Sequence, residues 1–258
     1  MVSFIISYYE TDAFRRRNLE FIVNSLKKLS IMGSEVIVVE QGSTQHYKTD
    51  DPFVVNVFIQ FNSMFNKGLG YNRGVSVARN DILFFTDADI VMATQGYFNA
   101  IDKLMSFDVV DPYRDINYCN EEVSSDIIKG IKNTNYINTV RSGVISGGAF
   151  VIRKSVFLVV QGFDENCVGY GYEDTILDTK LTKLGYRICH IIDSCVHLYH
   201  PSPARNITNK EQLKEFVNLI QSSGYEYYGN FLKNEKLWKE YDGFTKEELI
   251  SYLNEKHT

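Results

Sequence analysis

No apolar run in this chain approaches the ~20 residues needed to cross a bilayer, and its N-terminus reads directly as a strand instead of a signal peptide. A cytoplasmic protein is expected, with peripheral contact at the inner face of a membrane as the one membrane role left. Cysteine is scarce: Cys119, Cys167, Cys189 and Cys195 have no metal-knuckle spacing and fit reduced, mostly buried thiols. Tryptophan is nearly absent, with Trp238 alone. Positive charge is also short, since the formal net charge is −5. Nucleic-acid binding needs clustered Lys and Arg, so nucleic acid is excluded as a partner. The compact basic run Arg15-Arg16-Arg17 opens an amphipathic helix and reads as a solvated face. Internal repeats and low-complexity segments are missing too.

What remains is a globular composition. Hydrophobic residues make up 44% and charged residues 23% of the 258 positions, which suits a folded core and rules out a fibrous or disordered chain. Tyrosine and phenylalanine, 17 of each, fit core and sheet packing as well as sugar-stacking surfaces.

Val2–Tyr8 is a short apolar run of the kind that forms a buried parallel strand. Thr11 or Asp12 can cap the following helix, in which Leu19, Ile22, Val23, Leu26 and Leu29 recur at helical spacing. Strands are expected at Glu35–Glu40, Val54–Gln60, Ile82–Thr86, Val109–Pro112 and Ser146–Ile152. Helices are expected at Gly68–Arg79, Tyr97–Phe107 and Thr175–Leu184, with a further amphipathic helix at Leu213, Phe216, Val217 and Ile220. Asp115–Arg141 is polar, lacks a sustained period and reads as variable loops. The alternation predicts an α/β fold with an open, mostly parallel sheet, whose ligands collect beyond the carboxyl ends of the strands. Residues 1–204 are expected to form one domain, with a nucleotide-binding half at 1–112 and an acceptor and catalytic half at 113–204. Residues 205–258 would be a helical extension packed on it.

Chemistry concentrates at three places. Thr86-Asp87-Ala88-Asp89 leaves a hydrophobic strand, and hard carboxylate oxygens held at a strand end are a common way to offer a divalent cation to a diphosphate. His197-Leu198-Tyr199-His200 supplies two imidazoles. On a regular strand residues three apart face opposite sides, so both can reach one ion only if the chain turns there, as Pro201 and Pro203 permit. Gly169-Tyr170-Gly171-Tyr172-Glu173-Asp174 is a glycine-hinged loop ending in two carboxylates where a helix should start. Those carboxylates would cap the helix, serve as acid–base groups, or do both.

Five blocks in order give these pieces a context: Phe4-Ile5-Ile6-Ser7-Tyr8-Tyr9; Val38-Val39-Glu40-Gln41-Gly42; Phe65-Asn66-Lys67-Gly68 with Asn72-Arg73-Gly74; Phe85-Thr86-Asp87-Ala88-Asp89; and Gly147-Gly148 through Gly162-Phe163 to Glu173-Asp174. With the histidine segment, the chain resembles GT-A-fold glycosyltransferases, in particular the β-1,4-galactosyltransferase group and the related modules of bacterial chondroitin polymerase. The resemblance covers most of residues 2–200. It implies a metal-dependent, inverting transfer of a hexose or N-acetylhexosamine from a UDP-sugar to a glycan or lipid-linked glycan acceptor, in surface polysaccharide synthesis.

By that resemblance Asp89, His197 and His200 ligate the metal, and Asp87 contacts the nucleotide ribose or the metal through water. Tyr8, Tyr9, Glu40 and Gln41 hold the base, although Ser7 and Tyr9 replace the proline and arginine of animal galactosyltransferases. Lys67, Asn72, Arg73, Gly147 and Gly148 complete the donor site. Asp174 is the general base, and Glu173 orients the acceptor with Tyr170 and Tyr172, Tyr170 standing where many relatives carry tryptophan. Ile145 matches a position against the C2 substituent of the donor sugar, where a small aliphatic side chain admits an N-acetyl group; a plain core residue is the other reading. Mixed oxygen and imidazole ligands suit Mn²⁺ better than Mg²⁺, which is the alternative. Two other functions stay open. A nucleotidyltransferase would want a glycine-rich basic loop near the first strand, and Ser3–Asp12 has no glycine. A non-catalytic sugar- or nucleotide-binding module would have lost its base, whereas Asp174, Asp89 and both histidines are present.

Overall fold

Near-continuous apolar runs become strands covered on both faces. A computed structural model describes residues 1–60, 64–140, 145, 147–169, 171–201 and 214. In chain order the elements are β1 (Val2–Tyr8), α1 (Ala13–Lys28), β2 (Glu35–Gly42), β3 (Val54–Gln60), α2 (Lys67–Val77), β4 (Ile82–Thr86), β5 (Ile90–Met92), α3 (Thr94–Lys103) and β6 (Val109–Asp111). There follow β7 (Asp115–Tyr118), α4 (Glu121–Ile128), β8 (Ile137–Val140), β9 (Ala149–Arg153), α5 (Lys154–Val159), α6 (Glu173–Lys183), β10 (Ile188–His190) and β11 (Ser194–His197).

The main sheet runs β10-β6-β9-β4-β1-β2-β3. Its pairings are parallel except at β9, which opposes both β4 and β6. Alternate residues of each strand feed two cores, as the two-residue pleat requires. Phe4, Ile6, Val36, Val38 and Phe84 pack on one face against Leu19, Ile22 and Leu26 of α1 and Tyr97 of α3. Ile5, Ile37, Val39, Leu83 and Phe85 pack on the other against Tyr71 and Val75 of α2, Phe157 of α5 and Leu177 and Leu181 of α6. Full burial of each such side chain is worth about 1.5–3 kcal/mol, so β1, β2 and β4 hold the molecule together.

Local signals set the helix ends. Asp12, and not Thr11, caps α1 by accepting from the Arg15 amide at 3.0 Å, a contact worth ~1 kcal/mol. Asn66 caps α2 through the Leu69 amide. Helix α2 lies directly on β1 because Gly74 has no side chain: a Cβ there would stand 2.3 Å from the Ile5 Cγ2. That approach sets where the first turn of α2 meets the end of β4.

One expectation needs correction. The stretch read as loops, 115–141, holds β7, α4 and β8, and these belong to a second sheet ordered β5-β11-β7-β8. All four residues of β8 are exposed and α4 has only eight residues, so neither shows a periodic apolar pattern. The second sheet matters for the site, because in it His197 pairs with Ile90, next to Asp89. The expected C-terminal helix and extension, Tyr170, and most of the 141–146 segment lie outside the described residues. Among the described residues no helix is long and apolar enough to cross a membrane.

Candidate active site

Beyond the carboxyl end of β4 the chain turns sharply into β5, leaving Asp87 and Asp89 at the rim of the sheet. The Asp87 amide donates to the Gly148 carbonyl at 2.7 Å, and the Leu198 amide donates to the Asp89 carbonyl at 2.8 Å. These two backbone bonds tie the aspartate pair to both segments that the sequence analysis singled out downstream.

Asp89 meets the histidines. His200 Nε2 lies 3.1 Å from its Oδ2, and His197 Nε2 lies 3.8 Å from its Oδ1. One ligand atom from each of the three falls within 4.8 Å of the others. The turn demanded by the three-residue spacing is present, since β11 ends at His197 and His200 follows in irregular backbone. The Nδ1 atoms face the carbonyls of Leu198 and Pro201, at 3.0 and 2.9 Å. A carbonyl can only accept, so both Nδ1 atoms carry the proton and both Nε2 atoms turn toward Asp89. Buried Asp89 Oδ1 has no hydrogen-bond partner among the described residues. An unpaired buried carboxylate oxygen is costly, and a cation is the species that would satisfy it together with two imidazole nitrogens. The residues present therefore fit a divalent metal. Burial alone would push the Asp89 carboxyl up, but the two imidazoles, with Arg15 adding to their effect, hold it well below the usual carboxylate range. Burial opposes the charged form of His200, yet contact with Asp89 wins and raises it.

Asp87 has a different set of neighbours. Lys67 Nζ sits 2.7 Å from one carboxylate oxygen and 2.9 Å from the other. The Tyr71 hydroxyl donates at 2.9 Å. Lys67 and Tyr71 are one turn apart on α2, so both reach the same carboxylate. Burial pushes the Asp87 carboxyl up, against the pull of Lys67. Lys67 also donates to the Gly147 carbonyl, which brings in the third piece. A Cβ on Gly147 would stand 2.6 Å from Asp174 Oδ2, and one on Gly148 would stand 2.4 Å from the Tyr113 hydroxyl. The Gly147-Gly148 pair thus lets Asp174 and Tyr113 close on the backbone beside Asp87.

Glu173 and Asp174 open α6. The turn before them is left-handed at Gly169, Gly171 and Tyr172, with φ of 87°, 93° and 69°. A tyrosine at positive φ stores backbone strain, which is retained chiefly where it aims functional groups. Glu173 is buried, and burial, reinforced by Asp174, raises its carboxyl against the pull of Lys67. Asp174 is half-buried, its Oδ1 accepting from the Thr175 amide at 2.8 Å.

The remaining expected donor residues divide. Tyr9 is half-buried and stacks near-parallel on Phe65, centroids 6.1 Å apart, as an aromatic wall beside Gly42. Tyr8 is buried and bonds Glu10 at 3.0 Å. Glu40 is buried, its carboxylate taken by the amides of His46 and Tyr47. Gln41 clamps both backbone groups of Asn66. Asn72 is buried and binds both backbone groups of Phe163 and the side chain of Glu165. These polar groups shape the walls of the crevice. Arg73 is exposed on α2. Ile145 is fully buried among the second core and its amide donates to Asp178 at 2.9 Å. Tyr71 carries no expectation from the sequence, and Phe65 enters there only as part of the block Phe65-Asn66-Lys67-Gly68. Their signals were the four-residue spacing from Lys67 for the first and its place beside Asn66-Lys67 for the second.

A family model described as "Glycosyltransferase like family 2" matches residues 14–240. No curated protein matches the chain in sequence. Among solved structures, the catalytic domain of Drosophila β1,4-galactosyltransferase 7 in complex with xylobiose aligns at a TM-score of 0.51. The sequences are 14% identical, and the alignment covers 83% of this chain and 79% of that one. A mutant of the same Drosophila enzyme, in complex with manganese, UDP-Gal and xylobiose, aligns at a TM-score of 0.49 and 13% identity, with the same coverage of 83% and 79%. At 14% identity the first of these likenesses extends to the fold alone. Because the family match spans well over half of the residues, and the sheet order and the structure aligned at a TM-score of 0.51 agree with it, this chain belongs to the family 2-like glycosyltransferases and has the GT-A fold.

Proposed function

We propose that this glycosyltransferase moves a hexose or N-acetylhexosamine from a UDP-sugar to a glycan or lipid-linked glycan acceptor, with inversion and with Mn²⁺, in surface polysaccharide synthesis. The observation that carries the proposal is the convergence of the Asp89–His197–His200 cluster, the Asp87–Lys67 pair and Asp174 on one rim of the sheet.

Asp89, His197 and His200 would hold the cation, and their mixed oxygen and nitrogen donors favour Mn²⁺ over Mg²⁺. When bound, it would offset negative charge gathering on the departing nucleoside diphosphate. Lys67, fixed between Asp87 and Gly147, places a second positive charge beside that leaving group, while Asp87 keeps the ammonium in position. Tyr9 and Phe65 offer a face for the base. Asp174 takes the proton of the acceptor hydroxyl as that oxygen attacks the anomeric carbon opposite the diphosphate, which inverts the centre. Its seat in the first turn of α6 suits a carboxylate, because helix N-termini stabilise negative charge. Tyr172 and Glu173 would orient the acceptor, as would Tyr170.

One observation favours a second assignment of the base. Burial raises the Glu173 carboxyl, and a raised carboxyl is a stronger proton acceptor near neutrality. The two assignments differ in which variant, Asp174→Asn or Glu173→Gln, loses turnover.

The test of the overall proposal needs no acceptor. Purified protein is incubated with UDP-, GDP- and dTDP-sugars, with Mn²⁺ or with chelator, and nucleotide release is followed. Slow UDP release from a UDP-hexose or UDP-N-acetylhexosamine, dependent on Mn²⁺, is expected. Release confined to GDP- or dTDP-sugars, or equal rates with chelator, would contradict it.

A further inference from the structure

His197 and His200 lie three residues apart and still aim at one carboxylate, which a strand alone would prevent. The main chain between them must leave strand geometry, and there its polar groups lose their ladder partners. The structure replaces those partners one by one. The His197 carbonyl still accepts from the Cys119 amide at 3.1 Å, and the Leu198 amide donates to Asp89. At Tyr199 no strand is used. Its amide donates to the Ser124 hydroxyl on α4 at 2.7 Å, and its carbonyl accepts from the Asn18 side-chain amide on α1 at 3.0 Å. Both Asn18 and Ser124 are fully buried. The Tyr199 ring packs edge-on against Phe14 of α1, with centroids 5.4 Å apart.

We propose that Asn18 and Ser124 are positioning residues for the metal ligands: they grip the two main-chain polar groups of Tyr199 from two different helices, α1 and α4, and so hold the turn that points both imidazoles at Asp89. The inference rests on the reading of Asp89, His197 and His200 as a metal triad. Neither residue touches the three ligand side chains in the hydrogen bonds described, so each acts through the backbone. Buried polar side chains that fix the orientation of metal ligands are worth more than their own hydrogen bonds, because a slightly misaimed imidazole loses the metal without losing the fold. The geometry also gives α1 a task that its basic opening run conceals. Asn18 follows Arg15-Arg16-Arg17 directly, with its amide on the turn and its oxygen accepting from Arg17 at 3.4 Å.

The test measures Mn²⁺ affinity without sugar or turnover, by electron paramagnetic resonance titration of free Mn²⁺, well below the melting temperature of each variant. Asn18→Asp keeps the shape and the acceptor facing Arg17 but removes the donor to the Tyr199 carbonyl. Ser124→Ala removes the acceptor for the Tyr199 amide, and Ser124→Thr keeps it. Asn18→Asp and Ser124→Ala are each expected to weaken Mn²⁺ binding by about 10–100-fold, with Ser124→Thr within a few-fold of wild type. If Ser124→Ala does not fold, Ser124→Cys, with its weaker acceptor, takes its place and is expected to fall between the alanine and threonine variants. Wild-type affinity in Asn18→Asp and in the Ser124 variant that folds, even with lowered melting temperatures, overturns the positioning role and leaves the triad standing. Absence of Mn²⁺ binding in the wild type itself removes the triad, and the positioning role with it.

Discussion

Asp87 and Asp89 leave the same strand two residues apart, and their surroundings differ in kind. Asp87 is saturated, with Lys67 on both carboxylate oxygens and Tyr71 on one of them. Asp89 faces the Nε2 atoms of two imidazoles whose Nδ1 atoms donate to carbonyls, and one of its oxygens is buried without a hydrogen-bond partner among the described residues. Burial raises the Asp87 carboxyl, whereas the histidines hold that of Asp89 down. The same residue type in one motif can therefore do two jobs. A carboxylate already paired with a lysine is a fixture that places charge. A carboxylate that shares its space with two imidazole Nε2 atoms offers a donor set that a cation could enter by displacing their protons.

The largest expected effect lies beyond both, at the carboxylate that the Asp87 side of the site supports through Gly147. With an identified acceptor, Asp174→Asn should lower kcat by about 10²–10⁴-fold while the donor KM barely moves. Turnover within a few-fold of wild type, with a large loss in Glu173→Gln, would move the base to Glu173. Next in size is Gly147→Ala, whose Cβ would stand 2.6 Å from Asp174 Oδ2 and force the carboxylate aside. Displacements near 1 Å at a reacting group cost about 10²-fold, so kcat should fall by that order while Mn²⁺ affinity stays unchanged. A loss of Mn²⁺ binding in this variant would show that the two sides of the site are not separable.

Much of this arrangement was legible beforehand, and the gaps have physical causes. Strands β1, β2 and β4 are plain in the sequence because burial on both faces demands apolar runs such as Val36-Ile37-Val38-Val39 within β2. Strand β8 was hidden because its residues are exposed, Ile137 at 74% and Val140 at 70%. The approach of His197 to Asp89 depends on the pairing of β11 with β5 in a second sheet, a long-range contact that periodicity does not encode. Asn18 and Ser124 left no local signal, since their partners are 181 and 75 residues away. Asn72 and Glu40 sat within blocks that resemble donor-binding motifs, and only the structure gives them partners in the neighbouring loops.

A smaller effect separates the two aspartates directly. Lys67→Met strips Asp87 of its cation while leaving Asp89 and both histidines untouched. The pair is partly exposed, its side chains 15% and 28% accessible, so screening keeps the expected stability loss to about 1–2 kcal/mol. The donor KM should rise and Mn²⁺ affinity should hold. A fall in metal affinity equal to the loss in donor binding would erase the distinction between fixture and ligand.

The smallest effect concerns a buried charge away from the rim. Lys180 of α6 is fully buried and donates to the Gly162 carbonyl at 2.7 Å; burial pushes its ammonium down to about 8 from 10.5. Below about pH 8 both folded and unfolded chains carry the charge, and the folded state bears its desolvation cost. From there to pH 10.5 the folded state has released the proton while the unfolded state keeps it, so stability rises with pH. Relative to Lys180→Met, the wild type should gain about 2 kcal/mol between roughly pH 7.5 and roughly pH 9.5 in urea unfolding. Parallel profiles for the two proteins would mean that Lys180 titrates alike in both states.

The central claim, that Asp89 is a cation ligand and Asp87 a fixture, is tested most directly by calorimetric titration of Mn²⁺ into Asp87→Asn and Asp89→Asn, with circular dichroism to verify the fold. Asparagine keeps the shape of each side chain and removes its charge. The account predicts that Asp89→Asn loses Mn²⁺ binding while Asp87→Asn stays within a few-fold of wild type. Equal losses in both variants, or retention of tight binding in Asp89→Asn, would contradict it.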